Sequence, residues 1–272
     1  MDRQNKDLVV CVLISCMKQD KSIIEQMHVQ TNVVVVDQCD VEDSEEWSFT
    51  NSSGNTCYAK YISTRERGLS RSRNMAIKNA IGDVCLICDD DEVLENDYEK
   101  KILDAYIQHI NQDVILFIVE RTDLPHGKKY PKEEGNVGFK QILQSSSVQV
   151  TFRRSKILNK KVHFDILLGS GTGNGGGEDN KFLLDCKNAK LSIFYKPICI
   201  GAVMPGESVW FNGFNKQYMI NRGWATRRSL GTYWGLLYIM SFGFMHYKKY
   251  RNEMSLINAY KYLFKGYFEE RV

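Results

Sequence analysis

Residues 82–94 read GDVCLICDDDEVL. The run Val84-Cys85-Leu86-Ile87-Cys88 is short, uncharged and bounded by polar residues, which is the pattern of a strand buried on both faces of a sheet. Asp89, Asp90 and Asp91 therefore stand where a central strand ends. In open α/β sheets, ligands bind just outside the carboxyl ends of the strands. Adjacent carboxylates repel one another unless a cation or a basic partner neutralises them. The triplet alone leaves two readings: a Mg²⁺ or Mn²⁺ site holding a nucleotide diphosphate, or a solvated acidic turn before a helix that begins near Asn96.

Outward from this stretch, residues 8–14 are wholly apolar and predict a first strand. Residues 33–36 predict a second, closing at Asp37, and 59–62 a weaker third. Residues 69–80 and 97–110 carry apolar positions at helical spacing, and 114–119 is again strand-like. Strands alternating with helices predict a mostly parallel sheet covered on both faces. Beyond residue 122 the pattern is weaker. Residues 123–138 mix Pro, Gly and charge and predict a loop, while 148–152 and 191–195 predict strands. The stretch 169–177, GSGTGNGGG, is the most flexible by composition, and it runs straight into Glu178-Asp179-Asn180 and an apolar helix at 181–186.

The chain has 272 residues, 43% hydrophobic and 25% charged, enough to bury a sizeable core. The net charge of +3 hides an asymmetry: from residue 210 onward ten basic residues face three acidic ones, giving +7 there and −4 for the rest. We expect a domain at 1–209, with halves at 1–122 and 123–209, and a helical, basic and aromatic appendage at 210–272. Residues 231–247 hold no Asp, Glu, Lys or Arg. That is short of the roughly 20 residues a spanning helix needs. An in-plane amphipathic segment beside Lys248, Lys249 and Arg251 is one reading, and a helix packed on the 1–209 domain is the other. The basic tail fits an anionic membrane surface or a phosphorylated lipid as partner; a merely solvated basic face is the alternative. No feature points to nucleic acid. The eight cysteines fall largely in apolar runs and show no disulfide framework, which fits a reducing cytoplasm. Cys85 and Cys88 are three apart in a strand and point to opposite faces, so they do not read as a redox or zinc pair. The first residues, MDRQNKD, lack the apolar core of a signal peptide.

Residues 68–95, GLSRSRNMAIKNAIGDVCLICDDDEVLE, closely resemble the core signature of family 2 glycosyltransferases of the GT-A fold. In that signature a helix carrying Arg-Asn leads into a strand and an Asp-x-Asp motif. The match takes in Arg73-Asn74, Gly82, the apolar strand, Asp89, Asp91 and Leu94. Asp37 resembles the family's acid that contacts the donor's base, and Gly177-Glu178-Asp179 resembles its Glu-Asp motif. The resemblance is firm over about residues 8–120 and patchy to about 230.

The resemblance implies an α/β protein with the GT-A (nucleotide-diphospho-sugar transferase) fold, a mostly parallel central sheet flanked by helices and a C-terminal helical appendage. It implies an inverting transfer of a hexosyl or N-acetylhexosaminyl group from a nucleotide-sugar donor, a UDP-sugar foremost, to a hydroxyl of a glycan acceptor. Asp91, with Asp89, would ligate Mn²⁺ or Mg²⁺. Asp89, Asp90, Asp37, Ser15, Arg65 and Arg73 would meet the donor, the two arginines by touching the diphosphate or by holding the acids. Asp179 would be the general base and Glu178 would orient it or the acceptor. The glycine-rich stretch would be a lid that orders when donor binds.

Residues 217–230, QYMINRGWATRRSL, resemble a helix of bacterial polysaccharide-assembly members. Arg222, Arg227 and Arg228 would there meet a polyprenyl-diphosphate-linked acceptor, in capsule or O-antigen synthesis, at the inner face of the membrane. Solvated helix charge is the alternative for those three.

Two departures stand out. The turn after the first strand is Ser15-Cys16-Met17-Lys18, without the aromatic that often lies against the base. Residues 201–208, GAVMPGES, resemble a segment that carries a histidine metal ligand in some members, but Val203 or Met204 stands there. These departures keep open a non-catalytic carbohydrate-binding or scaffold protein on a degenerate GT-A fold. A nucleotidyltransferase would also use strand-end acids and a metal, but it predicts a glycine-rich loop after the first strand, and Ser15-Cys16-Met17-Lys18 contains no glycine.

Overall fold

The computed structural model describes residues 8–122, 124, 127–205 and 213–271, which fall into two compact units. The MDRQNKD segment and Gly206-Glu207-Ser208 lie outside the described residues.

The first unit takes in residues 8–67, 71–163 and 185–205. It is built on strands β1 (Val10–Cys16), β2 (Asn32–Gln38), β3 (Asp43–Thr50), β4 (Thr56–Thr64), β5 (Val84–Asp89), β6 (Glu92–Leu94), β7 (Val114–Arg121), β8 (Gly135–Asn136), β9 (Val150–Arg153) and β10 (Ile193–Val203). They form one sheet in the order β3-β4-β2-β1-β5-β9-β7-β10-β6, with β8 on β10. The block β4-β2-β1-β5 is parallel, as is β7 with β10. β9 runs antiparallel between β5 and β7, and β3 and β6 are antiparallel edges.

The apolar runs became strands because both of their faces are covered. Every residue of β1 is buried, as are the first five of β5. The helices that begin in or belong to this unit are α1 (Ile23–Gln26), α2 (Leu69–Asn79), α3 (Tyr98–Gln108), α4 (Phe139–Ile142) and α5 (Arg154–Asn159). Helix α3 turns Tyr98, Ile102, Ala105 and Tyr106 into the core. The hairpin edge β3 was not expected: its sequence DSEEWSFT is polar, and it is held by antiparallel pairing to β4 with most of its side chains exposed. Strand β10 runs from 193 to 203, far past the predicted 195, because irregular register between Tyr195 and Gly201 carries the chain on through Pro197.

The second unit takes in residues 68–70, 164–184 and 213–271. It contains the start of α6 (Glu178–Asn188) and the helices α7 (Lys216–Met245), α8 (Tyr247–Tyr250) and α9 (Leu256–Phe268). Asn215 and Ser255 cap α7 and α9 by accepting the backbone N–H of Tyr218 and Asn258. Helix α7 kinks at Gly231, whose φ of 71° is in the left-handed region. Met219, Phe242, Tyr250, Ala259 and Leu263 make the core between α7, α8 and α9.

Two glycines set how closely α7 and α9 pack. A Cβ on Gly266 would lie 1.8 Å from the Ile220 carbonyl oxygen, and one on Gly223 would lie 2.0 Å from that of Leu263. Both obstacles are backbone, so no rotamer change relieves them. Gly266→Ala should therefore force the two helices apart and lower stability by about 1–3 kcal/mol or more. Thermal unfolding checks this, with Ser241→Ala, on an exposed position of α7, as the neutral control.

Candidate active site

The parallel register sets the acids side by side. β1 lies between β2 and β5, with Cys16 opposite Asp37 and Ser15 opposite Asp89. Asp37 and Asp89 thus flank the end of β1, where an α/β sheet offers its ligand site. Asp37 is buried; its carboxylate accepts from the Gln19 backbone N–H at 3.2 Å. The Gln19 side chain donates to Asp90 at 3.3 Å, and the Tyr61 hydroxyl donates to the Gln19 carbonyl at 2.8 Å. Gln19 therefore ties the acid of β2, the acid cluster after β5 and an aromatic ring of β4 together. An open cleft of about 390 Å³ is lined here by Gln19, Asp37, Tyr61, Ser63 and neighbouring residues. Ser15 is buried at the same strand end, with no hydrogen-bond partner for its hydroxyl.

The cluster itself is electrostatically crowded. Burial, and then the charge of Asp89, raises the Asp90 carboxyl above its ordinary range. Burial, then the charges of Asp89 and Asp90, pushes Asp91 up to about 6. Glu92, 1% exposed, is held well above the carboxylate range, chiefly by burial. One of its oxygens accepts the Asp89 backbone N–H at 2.6 Å and the other has no partner. Arg73 of α2 supplies the nearest opposing charge: its guanidinium donates to Asp89 and to the Ser147 hydroxyl, each at 2.7 Å. Of the two roles expected for Arg73, the geometry displays the holding of an acid. Arg65 is exposed, donating from its side chain to the Asp40 carbonyl and from its backbone to Glu42.

The chain beyond Asp91 forms β6, which pairs with the end of β10, and the Met204 N–H donates to the Asp91 carbonyl at 2.8 Å. The position where some family members carry a histidine thus does abut Asp91, but it presents a buried Val203 and a half-exposed Met204. Neither is a ligand for a hard cation. Among the described residues, no three His, Cys, Asp or Glu side chains form a ready metal cage. What the site offers is a half-buried Asp90 and an exposed Asp91, mutually repelling, beside Asp89. That suits a cation keeping several waters and completing its shell on phosphate oxygens, as Mg²⁺ does.

Glu178 and Asp179 open α6 and belong to the second unit. Glu178 is buried and accepts the Gly177 N–H at 2.9 Å; Asp179 is half-buried. The glycine-rich stretch before them is more ordered than its composition predicts. Gly169 donates to the Gly175 carbonyl, Ser170 accepts from Leu69, Leu168 accepts from the Ser70 hydroxyl, and Asn221 donates to Gly173. Arg271 bridges Asn174 and Asn221. Five glycines at alternate positions have positive φ, which coils the segment until its own amides and carbonyls meet.

The three arginines of α7 go to different partners. Arg228 forms a two-pronged pair with Asp165 at 2.5 and 2.9 Å. Arg222 lies over the Phe242 ring at 4.9 Å, and Arg227 over Tyr267 at 5.4 Å. They do not converge on a shared point, because offsets of five and six residues spread them round the helix.

Sequence reading missed Gln19, Tyr61, Glu92 and Ser147. Glu92 carried a signal, since it continues the acidic run; the others acquire their roles only through strand pairing and long-range bonds.

A sheet of this order, with acids at the ends of β2 and β5 on either side of β1, is that of the GT-A fold. The chain matches the family model described as Glycosyl transferase family 2 over residues 21–171, and it belongs to that family. Among solved structures it is similar to S. aureus TarS 1-349, at 17% identity and a TM-score of 0.62, over 96% of this chain and 81% of that one. The same protein in complex with UDP-GlcNAc gives 16% and 0.63 over 95% and 81%, and in complex with UDP 15% and 0.59 over 94% and 78%. No curated protein matches the chain.

Glu92 is the group whose removal most directly tests the local geometry. Glu92→Gln keeps a neutral acceptor for the Asp89 N–H and should leave stability within about 1 kcal/mol, whereas Glu92→Ala orphans a buried donor and should lose about 1–3 kcal/mol. Chemical denaturation of both variants checks this.

Proposed function

We propose that this chain is an inverting glycosyltransferase. It moves a hexosyl or N-acetylhexosaminyl group from a UDP-sugar to a hydroxyl of a glycan acceptor. The observation that carries the reading is the placement of Asp37 and Asp89 on either side of the β1 end, with Asp90 and Asp91 crowded beside them. The fold it shares with a protein seen with UDP and UDP-GlcNAc supports the choice of donor.

In this reading Asp37 contacts the base in the cleft, with Tyr61 and Gln19 shaping its wall. Asp89, fixed by Arg73, bonds the ribose or a metal-bound water. Asp91 with Asp89 would hold Mn²⁺ or Mg²⁺, which when bound would supply positive charge against that of the departing diphosphate. Asp179 accepts the proton of the acceptor hydroxyl as that oxygen attacks the anomeric carbon from the face opposite the leaving group, and Glu178 orients it. One displacement inverts the anomeric configuration. The basic tail of the chain supports a lipid-linked oligosaccharide as acceptor, in capsule or O-antigen assembly at the inner membrane face.

Thermal unfolding with UDP, GDP, CMP and dTDP, each with Mn²⁺, Mg²⁺ or EDTA, tests the donor half. A ligand at 100 times its dissociation constant stabilises by about 2.7 kcal/mol, a shift of several degrees for a chain of this size. We expect it with UDP and metal, and not with Asp91→Ala. Asp179→Asn should keep the UDP shift but lose transfer by about 100-fold or more. No shift with any nucleotide would favour the degenerate-fold reading.

A further inference from the structure

We propose that the second half of α7 is a docking surface for an anionic phospholipid membrane, lying in the plane of the headgroups. This deepens the lipid-linked part of the proposed function, on which its biological meaning rests, but its observations are separate from the donor site.

Beyond the kink at Gly231, one face of α7 is used up: Gly235, Ile239, Phe242 and Gly243 are buried. A helix of a water-soluble unit would carry polar residues on the opposite face. Here that face presents Tyr233, Trp234, Leu237, Met240, Phe244 and Met245, at 51–85% exposure. They recur at three- and four-residue spacing, so they form one continuous stripe. On α9, Tyr260, Phe264 and Phe268 stack in a second row, with ring centroids 6.2 and 6.5 Å apart. The Tyr260 hydroxyl donates to the Met240 carbonyl at 2.6 Å, so the rows meet there. Contiguous exposed apolar surface of this kind marks an interaction site.

Charge selects the occupant. Lys248, Lys249 and Arg251 follow the stripe directly and are exposed, as are Lys261 and Lys265 on α9. No Asp or Glu occurs between residues 213 and 252. A second copy seated on this face by two-fold symmetry would bring the same basic patch against itself. An anionic lipid surface instead complements it, while Trp and Tyr rings favour the headgroup level. Among the described residues no helix is long and apolar enough to cross a membrane. The stretch after the kink reaches only about 21 Å, short of a 30 Å hydrocarbon core, so an in-plane seat is the geometry that fits.

Co-sedimentation with vesicles, without nucleotide, tests this. Vesicles of mixed phosphatidylglycerol and phosphatidylcholine should carry the protein down at low salt, and phosphatidylcholine alone should not. Trp234→Ser with Phe244→Ser should weaken partitioning about ten-fold or more. Independently, Lys248→Glu with Lys249→Glu should abolish the preference for anionic vesicles. Both variants should keep wild-type helical circular dichroism and the UDP-dependent thermal shift. Equal partitioning of wild type and variants, or no partitioning at all, would overturn the proposal. So would a concentration-dependent dimer in light scattering that the double serine variant dissolves. Vesicle binding lost with the UDP shift intact defeats this inference alone; a missing UDP shift with vesicle binding intact defeats only the donor reading.

Discussion

One buried guanidinium holds the acidic end of the sheet in place. Arg73 is 2% exposed and bonds Asp89 on β5 and Ser147 in the short turn before β9. Four acidic residues in succession would otherwise splay toward water, since each raises the cost of ionising its neighbours. A buried charge that loses its partner costs roughly 3–5 kcal/mol, so the helix, the strand end and the turn are committed to one arrangement. Glu92 adds to this: its buried carboxyl, shifted upward by burial, accepts the Asp89 backbone N–H and fixes that residue. The site is thus rigid at Asp89 and electrostatically unfinished at Asp90 and Asp91.

That unfinished state bears on how a cation would be recruited. With Val203 and Met204 where a histidine stands in some family members, the chain contributes oxygen donors and little else. Two carboxylates give a hard cation a foothold but leave most of its shell to water and to the ligand's phosphates. On the proposed function, metal and donor would therefore bind as a pair, each weakly alone. This is also why the thermal-shift comparison needs both together.

Much of the first unit was readable because its signals are local. An uncharged run of five residues, bounded by polar ones, has few options other than a buried strand, and β1, β2, β5 and β7 were found this way. The order of Arg73-Asn74, Gly82 and the acids then gave the family. What was not readable depends on pairing. Strand β3 has no apolar alternation of its own, and it exists because β4 offers an edge. Tyr61 lines the cleft only because β4 lies next to β2. The internal bonding of the glycine-rich stretch was hidden for a physical reason: glycine marks backbone freedom in an unfolded chain, yet it also permits the left-handed turns by which a loop bonds to itself. Composition cannot separate the two.

The C-terminal segment shows the same limit from the other side. Residues 231–247 lack charge, which fits a packed helix as well as a membrane-surface helix, and the sequence left both open. The structure shows that the segment has two apolar faces with different fates. Close packing against α9, permitted by Gly223 and Gly266 and sealed by Gly235 and Gly243, consumes one of them. Small residues lie on that face because a large side chain there would meet backbone or an aromatic ring. The large ones are left on the other face, where packing within this unit gives them nothing to cover. Folding of the unit accounts for the glycines of this helix; it leaves Trp234, Leu237 and Phe244 exposed, and these are the side chains that the proposed membrane contact would cover.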